Sequence, residues 1–455
     1  MPSILAGMCL IFAILGLVYE KNLYNPVTAF FGLWSVIIHA ARLCLYGMYP
    51  ASTNTYIIIL IGIIGFLLGC IWVYFPRKYS SNWKDSNSTN INNRRTYQLT
   101  DSIIEEELEI NYVLVYILLI MSLLYLVPNT IQIINLMRQG HTLKQIRFSF
   151  WNIDTSDLYN LRFEHSYRVY VFQTIMNIIP AIAVIDLLAG KRDKKLLIGC
   201  IVISILNVMV SGGGRLHIMY LACDLVLVFL ICRNRIFISS KLKKVILVFT
   251  GMLIVAFVYV TIARDITSVL KSFYVYLAGC VPHMDIRLEP IIAERDLTYG
   301  IASLKGLTQP FLLALRLTGI FGIDQYPQIF LNASEFMDLR SIVYIGDGIR
   351  YNGFVSLFYY FFLDGRYIGV AVGSFIYGAL GMWLYMNVKT KFSLRNLLVY
   401  AIYFRTLVIS MTRLQFVQVH YTMAFILAFF IFKKKVYKTQ KNENGDKICL
   451  EESNG

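Results

Sequence analysis

Hydrophobic positions run through this chain in long blocks separated by short polar connections. Tyr56–Tyr74, Tyr112–Met137 and Val245–Ala263 carry no charged residue. Each is roughly 20 residues or more, the length of a helix that crosses a ~30 Å hydrocarbon core. A membrane barrel would instead alternate apolar and polar positions in short segments. The pattern therefore predicts an all-α polytopic bundle of about 11 transmembrane helices, at 3–19, 26–47, 54–75, 111–137, 168–188, 196–211, 214–232, 244–264, 366–388, 395–411 and 416–432. The first block lacks a basic leader and a small-residue cleavage site, so it reads as a span and not as a signal peptide.

The polar connections set the orientation. Arg77, Lys78, Lys84, Arg94 and Arg95 fall in one loop, Lys191 to Lys195 in another, and Arg233 to Lys244 in a third. Lys389, Lys391, Arg395 and the tail from Lys433 complete the series. All share one side if the N-terminus lies outside and there are eleven spans. A twelfth span at Gly353–Leu363 would reverse the basic tail, so that segment is expected to be a short helix on the outer face. The chain then divides into N-terminal transmembrane helices at 1–264, a large extracytoplasmic loop of short helices at 265–365, C-terminal transmembrane helices at 366–432 and a cytoplasmic tail at 433–455. A loop of about a hundred residues exceeds a connector. Its apolar run Pro310–Gly322, broken by Arg316, is too short to span and is expected to lie in the interface or re-enter. The two halves show no internal repeat, unlike many transporters.

Composition adds less. The chain is 57% hydrophobic and 15% charged, and its net charge of +15 is largely the cytoplasmic excess. Nothing reads as a nucleic-acid-binding face, because no soluble segment interleaves basic and aromatic residues. The eight cysteines lie mostly within spans and form no CxxC pair, so neither a metal site nor a cofactor is expected.

A few polar groups ask for an explanation. Ser211–Gly212–Gly213–Gly214–Arg215 joins two spans at the outer surface. Glycines let backbone approach a ligand, and an Arg opening a helix suits a phosphate or diphosphate. A tight turn with a snorkelling Arg is the alternative. His283 and Asp285 follow the eighth span and are candidate bases, against an interface helix in which His283 is merely hydrogen-bonded. The aromatic run Tyr351–Gly369 offers rings for sugar stacking or for a membrane-interface belt. Asp224 and Arg405 lie inside spans and are expected to pair, and His39 reads as a hydrogen-bonded core histidine. Arginines also collect on the outer face as Arg215, Arg316, Arg340, Arg350, Arg366 and Arg413, with His420 close to the last. The positive-inside rule disfavours this, so an anion at membrane level is indicated.

With these residues in place, the chain resembles the bacterial oligosaccharide repeat-unit polymerases of the Wzy type, which build O-antigen and capsule. Asn25–Pro26 through Trp34 is similar to the family's Asn-Pro opening of a second span, and Ser211–Gly214 with Arg215 to a Ser-Gly-x-x-Arg junction. Tyr276–Leu277–Ala278–Gly279 resembles a Tyr-Leu-x-Gly segment. Asn352, Phe354, Tyr359, Phe361, Asp364, Gly365 and Gly369 resemble the late Asn-to-Gly run, although Arg366 stands where a small residue is more usual.

The resemblance implies transfer of a glycan from undecaprenyl diphosphate to another lipid-linked repeat unit, in the bacterial plasma membrane. It implies the bilayer, a flippase and a chain-length regulator as partners. Arg215 and Arg413, with Arg316 and Arg350 as further choices, would hold the diphosphate, and Arg366, Asn352 and Asp364 would contact substrate. Asp285 or His283 would take the acceptor proton, with Glu164, His165 or His420 as further bases. A ligase of the same chemistry and a flippase for lipid-linked sugars are the alternatives.

Overall fold

The structure, a computed structural model, describes residues 1–86, 108–142, 145, 167–211, 216–233, 244, 251, 269–294, 297–318, 326–339, 341–351, 353–434, 437–441 and 447–451. Among them, six helices are long and apolar enough to cross a membrane: Pro2–Glu20, Pro26–Leu43, Thr53–Lys78, Tyr112–Arg138, Tyr167–Ala189 and Leu357–Thr390. The described residues are all-α apart from three small two-stranded pairings. Outward-facing apolar side chains such as Ile11, Val18, Trp72, Leu124 and Ile368 are exposed, as lipid contact requires.

The helices are α1 (Pro2–Glu20), α2 (Pro26–Leu43), α3 (Thr53–Ser86), α4 (Tyr112–Arg138) and α5 (Gln173–Ala189, entered through a π-turn at Tyr167–Phe172). Next come α6 (Lys194–Val210), α7 (Leu216–Cys232), α8 (Val269–Ala278), α9 (Cys280–Glu294), α10 (Lys305–Thr318) and α11 (Gln328–Phe336). The last are α12 (Leu357–Thr390), α13 (Leu394–Val408) and α14 (Val419–Leu427). α6 and α7 have 17 residues each and α13 has 15. The expected span 416–432 is a 3-10 turn at Gln415–Val417 followed by α14, of nine residues. At 1.5 Å per residue such a helix covers only about 14 Å. The expected span 244–264 lies almost wholly outside the described residues.

Local chemistry explains several starts. Asn25 caps α2, accepting from Thr28 N at 2.8 Å, and Pro26 supplies a first-turn φ without wasting an N–H. Trp34, two turns along, donates from Nε1 to Ser410 Oγ at 3.1 Å and packs on Phe358. The Asn-Pro-to-Trp segment is thus a cap and a core anchor. Ser393 and Asp193 cap α13 and α6 in the same manner.

α3 and α12 run in the same direction, since Tyr367 bonds Asn54 near their starts and Arg77 bonds Asn387 near their ends. Glycine lets the two backbones touch: a Cβ at Gly69 would lie 2.0 Å from Phe375 O, and one at Gly378 would lie 2.2 Å from Phe66 O. α12 itself bends at Gly365 and Arg366, which leave helical dihedrals. The segment before the bend, Leu357–Leu363, is buried throughout. It is therefore core, and its aromatic rings form neither a surface helix nor an interface belt. His39, conversely, lies on an exposed face of α2 and not in the core.

The two ends of the bundle differ. At one end Glu20 accepts from Tyr74, Tyr385 and Lys389. Glu109 there bridges Lys191 and Lys433, each at 3.1 Å. This tie is reinforced by strand β1 (Leu108–Ile110) pairing antiparallel with β4 (Phe432–Lys434). Further along the tail, Tyr437–Lys441 pairs antiparallel with Lys447–Glu451. At the opposite end the long loop makes a cap. Its hairpin of β2 (Val343–Tyr344) and β3 (Arg350–Tyr351) bridges Met48 through Gly346. Leu45 N–H donates to Tyr274 Oη, and Val355 and Leu357 N–H groups donate to Thr412 and Ser410 carbonyls.

Candidate functional site

The capped end holds most of the described residues singled out from the sequence, and it separates them. His283 and Asp285 sit on α9 two positions apart, which turns them roughly 200° from each other around the helix. Fully buried His283 donates from Nδ1 to Phe354 O at 2.6 Å, and its Nε2 accepts from Arg287 Nε at 3.2 Å. Arg287 in turn bonds both the carbonyl and the hydroxyl of Ser341 at 2.7 Å. Burial and the neighbouring Arg287 charge, against the pull of the Phe354 carbonyl, push His283 down to about 4. Both ring nitrogens are engaged, so His283 stitches α9 to the cap. Asp285 faces α3, where it accepts from Ser52 N at 3.0 Å, from Ser52 Oγ, and from Thr55 Oγ1 at 2.5 Å. It supplies from another element the acceptor that a helix start needs. As placed, His283 presents no free lone pair to a sugar hydroxyl, and Asp285 is held by three donors at the start of α3.

Asp364 is equally committed. Its Oδ1 accepts from Thr298 Oγ1 at 2.6 Å and from the Gly300 and Ala302 N–H groups at 2.9 Å, and its Oδ2 accepts from Ser303 N–H at 2.9 Å. One carboxylate thereby folds the turn that leads into α10. Arg366 follows at the α12 bend with φ 53°, in the left-handed region. It donates to Ile291 O at 2.8 Å and lies 5.2 Å from the Phe362 ring centroid. With Asn54, Ile292, Leu297, Phe362 and Tyr367 it lines an open cleft of about 390 Å³.

The other described arginines have separate partners. Arg316, at the end of amphipathic α10, lies 5.6 Å from the Tyr326 ring centroid. Arg350 is exposed on β3. Arg215 and Asn352, like Arg340, Glu164 and His165, fall outside the described residues. Arg413, between α13 and α14, donates to Gly353 O at 3.0 Å. It lies within electrostatic reach of Tyr220, Tyr360 and His420.

Beneath Arg413 the bundle interior is polar. Tyr220 Oη donates to Gln415 Oε1 at 3.4 Å, and Gln415 Nε2 donates to Thr412 Oγ1 at 3.3 Å. Deeper still, Arg405 grips Asp224 with two N–H donors, donates to Asn177 O at 2.8 Å, and lies 5.4 Å from the Tyr220 ring centroid. The expected intramembrane ion pair is present and closed on itself. One group here was missed in the sequence: His217, in the first turn of α7, where it packs edge-on to Tyr220. Its only signal was a polar residue just inside an apolar helix, two positions after Arg215.

No family model, curated protein or solved structure matches the chain.

Proposed function

We propose that this protein joins undecaprenyl-diphosphate-linked oligosaccharide repeat units into O-antigen or capsular polysaccharide, at the outer face of the bacterial plasma membrane, with the eleven-span topology read from its basic loops. The observation that carries the reading is Arg413 at the bundle end opposite the basic residues, under a cap built from the long loop. A guanidinium at membrane level suits a lipid-borne diphosphate. In the reaction an acceptor hydroxyl attacks the donor sugar's anomeric carbon. The new C–O bond replaces the bond to diphosphate, which leaves with the electron pair while the hydroxyl proton passes to a base or to the departing diphosphate. Arg413, with Arg215, would stabilise the charge that grows on that group.

The closed Asp224–Arg405 pair favours an enzyme over a flippase, because these two intramembrane charges satisfy each other and do not line a path. Deleting the gene and resolving the surface polysaccharide on a gel tests the proposal. Loss of the ladder with a single capped repeat remaining is the expected result. An unchanged ladder refutes it, and loss of every capped form points to a ligase or flippase.

A further inference from the structure

The two sides of α10 face the wrong way for a helix on a watery surface. Lys305, Gln309 and Arg316 fall within about 40° of one another around the helix. Each meets protein. Lys305 Nζ lies 5.6 Å from the Phe330 ring centroid, Gln309 Nε2 donates to Tyr170 Oη at 3.2 Å, and Arg316 lies 5.6 Å from the Tyr326 ring centroid. Leu307, Phe311 and Ala314 occupy the opposite side, and all three are exposed, Phe311 by 64%. An amphipathic helix washed by water turns its apolar side to the core and its polar side out. α10 does the reverse, so the medium on its outer side is apolar.

Its depth agrees. From β4 at the basic end, the chain runs through the turn at Ala428–Phe430 and the nine residues of α14. Together these cover about 18 Å, against a hydrocarbon core of ~30 Å. Phe416 and Gln418, just beyond α14, therefore stop roughly 10 Å short of the other interface. The same connection is pinned at mid-membrane, because Ser410 Oγ accepts from Trp34 at the middle of α2. α10 packs on this sunken connection through Gly306, where a Cβ would collide with Phe416 O and Thr422 Oγ1. Its Gln309 contact, Tyr170, lies in the apolar segment Tyr167–Ala189. The exposed side of α10 thus continues the lipid-facing surface that Val18 and Leu124 present on other helices.

We propose that α10 is set into the leaflet at the capped end of the bundle, with phospholipid acyl chains covering Leu307, Phe311 and Ala314. It completes the wall of the bundle where α13 and α14 stop short, whether or not the protein polymerises glycans.

The test places p-benzoylphenylalanine at Phe311 in the full-length protein, in native membranes. Illumination joins the benzophenone to the nearest C–H bond, and mass spectrometry of the purified protein identifies the adduct. The same residue at Val18, exposed on α1, sets the scale for lipid capture, and at Glu335, exposed on α11, for a site in water. A mass increase of one phospholipid is expected at Phe311 as at Val18, and none at Glu335. An adduct to another peptide of the same chain shows that protein covers this face and overturns the proposal. A covalent dimer shows that a second copy covers it, with the same consequence. No adduct at Phe311 while Val18 captures lipid places the face in water, and equal lipid capture at Glu335 removes any distinction between the two helices; either result also overturns it. Should the Phe311 variant fail to insert, the same probe at Leu307, one turn earlier on the same side, decides in its place.

Discussion

His283 shows how a residue chosen for its chemistry becomes a structural one. Its ring ties α9 to the segment before α12, and burial holds it in the neutral form with a value of about 4. The unfolded chain binds the proton near 6.5. Between those values the unfolded state therefore carries more protons than the folded one, so stability rises with pH across the window and is lost as pH falls through it. The contribution is about 3 kcal/mol if the whole shift is expressed. Thermal unfolding of the detergent-solubilised protein should give a lower Tm at pH 5 than at pH 7, and H283Q should flatten that difference. An equal pH dependence in H283Q would show that its neutral state is not what the cap requires. His283 and Asp285 were visible in the sequence as titratable residues two apart. Their partners, Phe354 for one and Ser52 and Thr55 for the other, were not, because those contacts join segments that are distant along the chain.

Among the elements, the contact between α3 and α12 depends most on single positions. Gly69 and Gly378 admit backbone where a methyl group would collide with a carbonyl oxygen. Alanine favours a helix over glycine by about 1 kcal/mol. At Gly69 that gain competes with a forced separation of two packed helices, which costs about 1–3 kcal/mol. G69A should therefore lower Tm, whereas G7A, with nothing within 4 Å of the new methyl, should leave it equal or higher. Equal Tm values for the two variants would refute the close-contact account. The glycines were plain in the sequence, but which of them face another backbone is decided by the register between two helices. By contrast, the Asp224–Arg405 pair was legible beforehand: two opposite charges inside apolar spans cost too much to remain apart.

Taken whole, the described residues set Lys78, Lys191, Lys389 and Lys433 at one end of the bundle and the cap at the other, and this polarity is open to direct test. A cysteine placed at Glu335, exposed on α11, should react with a membrane-impermeant maleimide added to intact cells. A cysteine at Lys78, exposed near the end of the α3 span, should react only after the cells are opened. Labelling of the Glu335 site only in opened cells would invert the topology and place the cap in the cytoplasm.

The sequence alone determined that this chain is a membrane bundle, where most of its long helices lie, and that two of its buried charges pair. These follow from hydrocarbon thickness and from the penalty for an unpaired charge, both of which act over one segment at a time. The tertiary structure decided which polar groups are already committed. Asp285 caps α3, Asp364 folds the Thr298–Ser303 turn, and His283 joins α9 to the cap. A side chain's free valences depend on what packs against it, and in this fold those neighbours come from elsewhere in the chain.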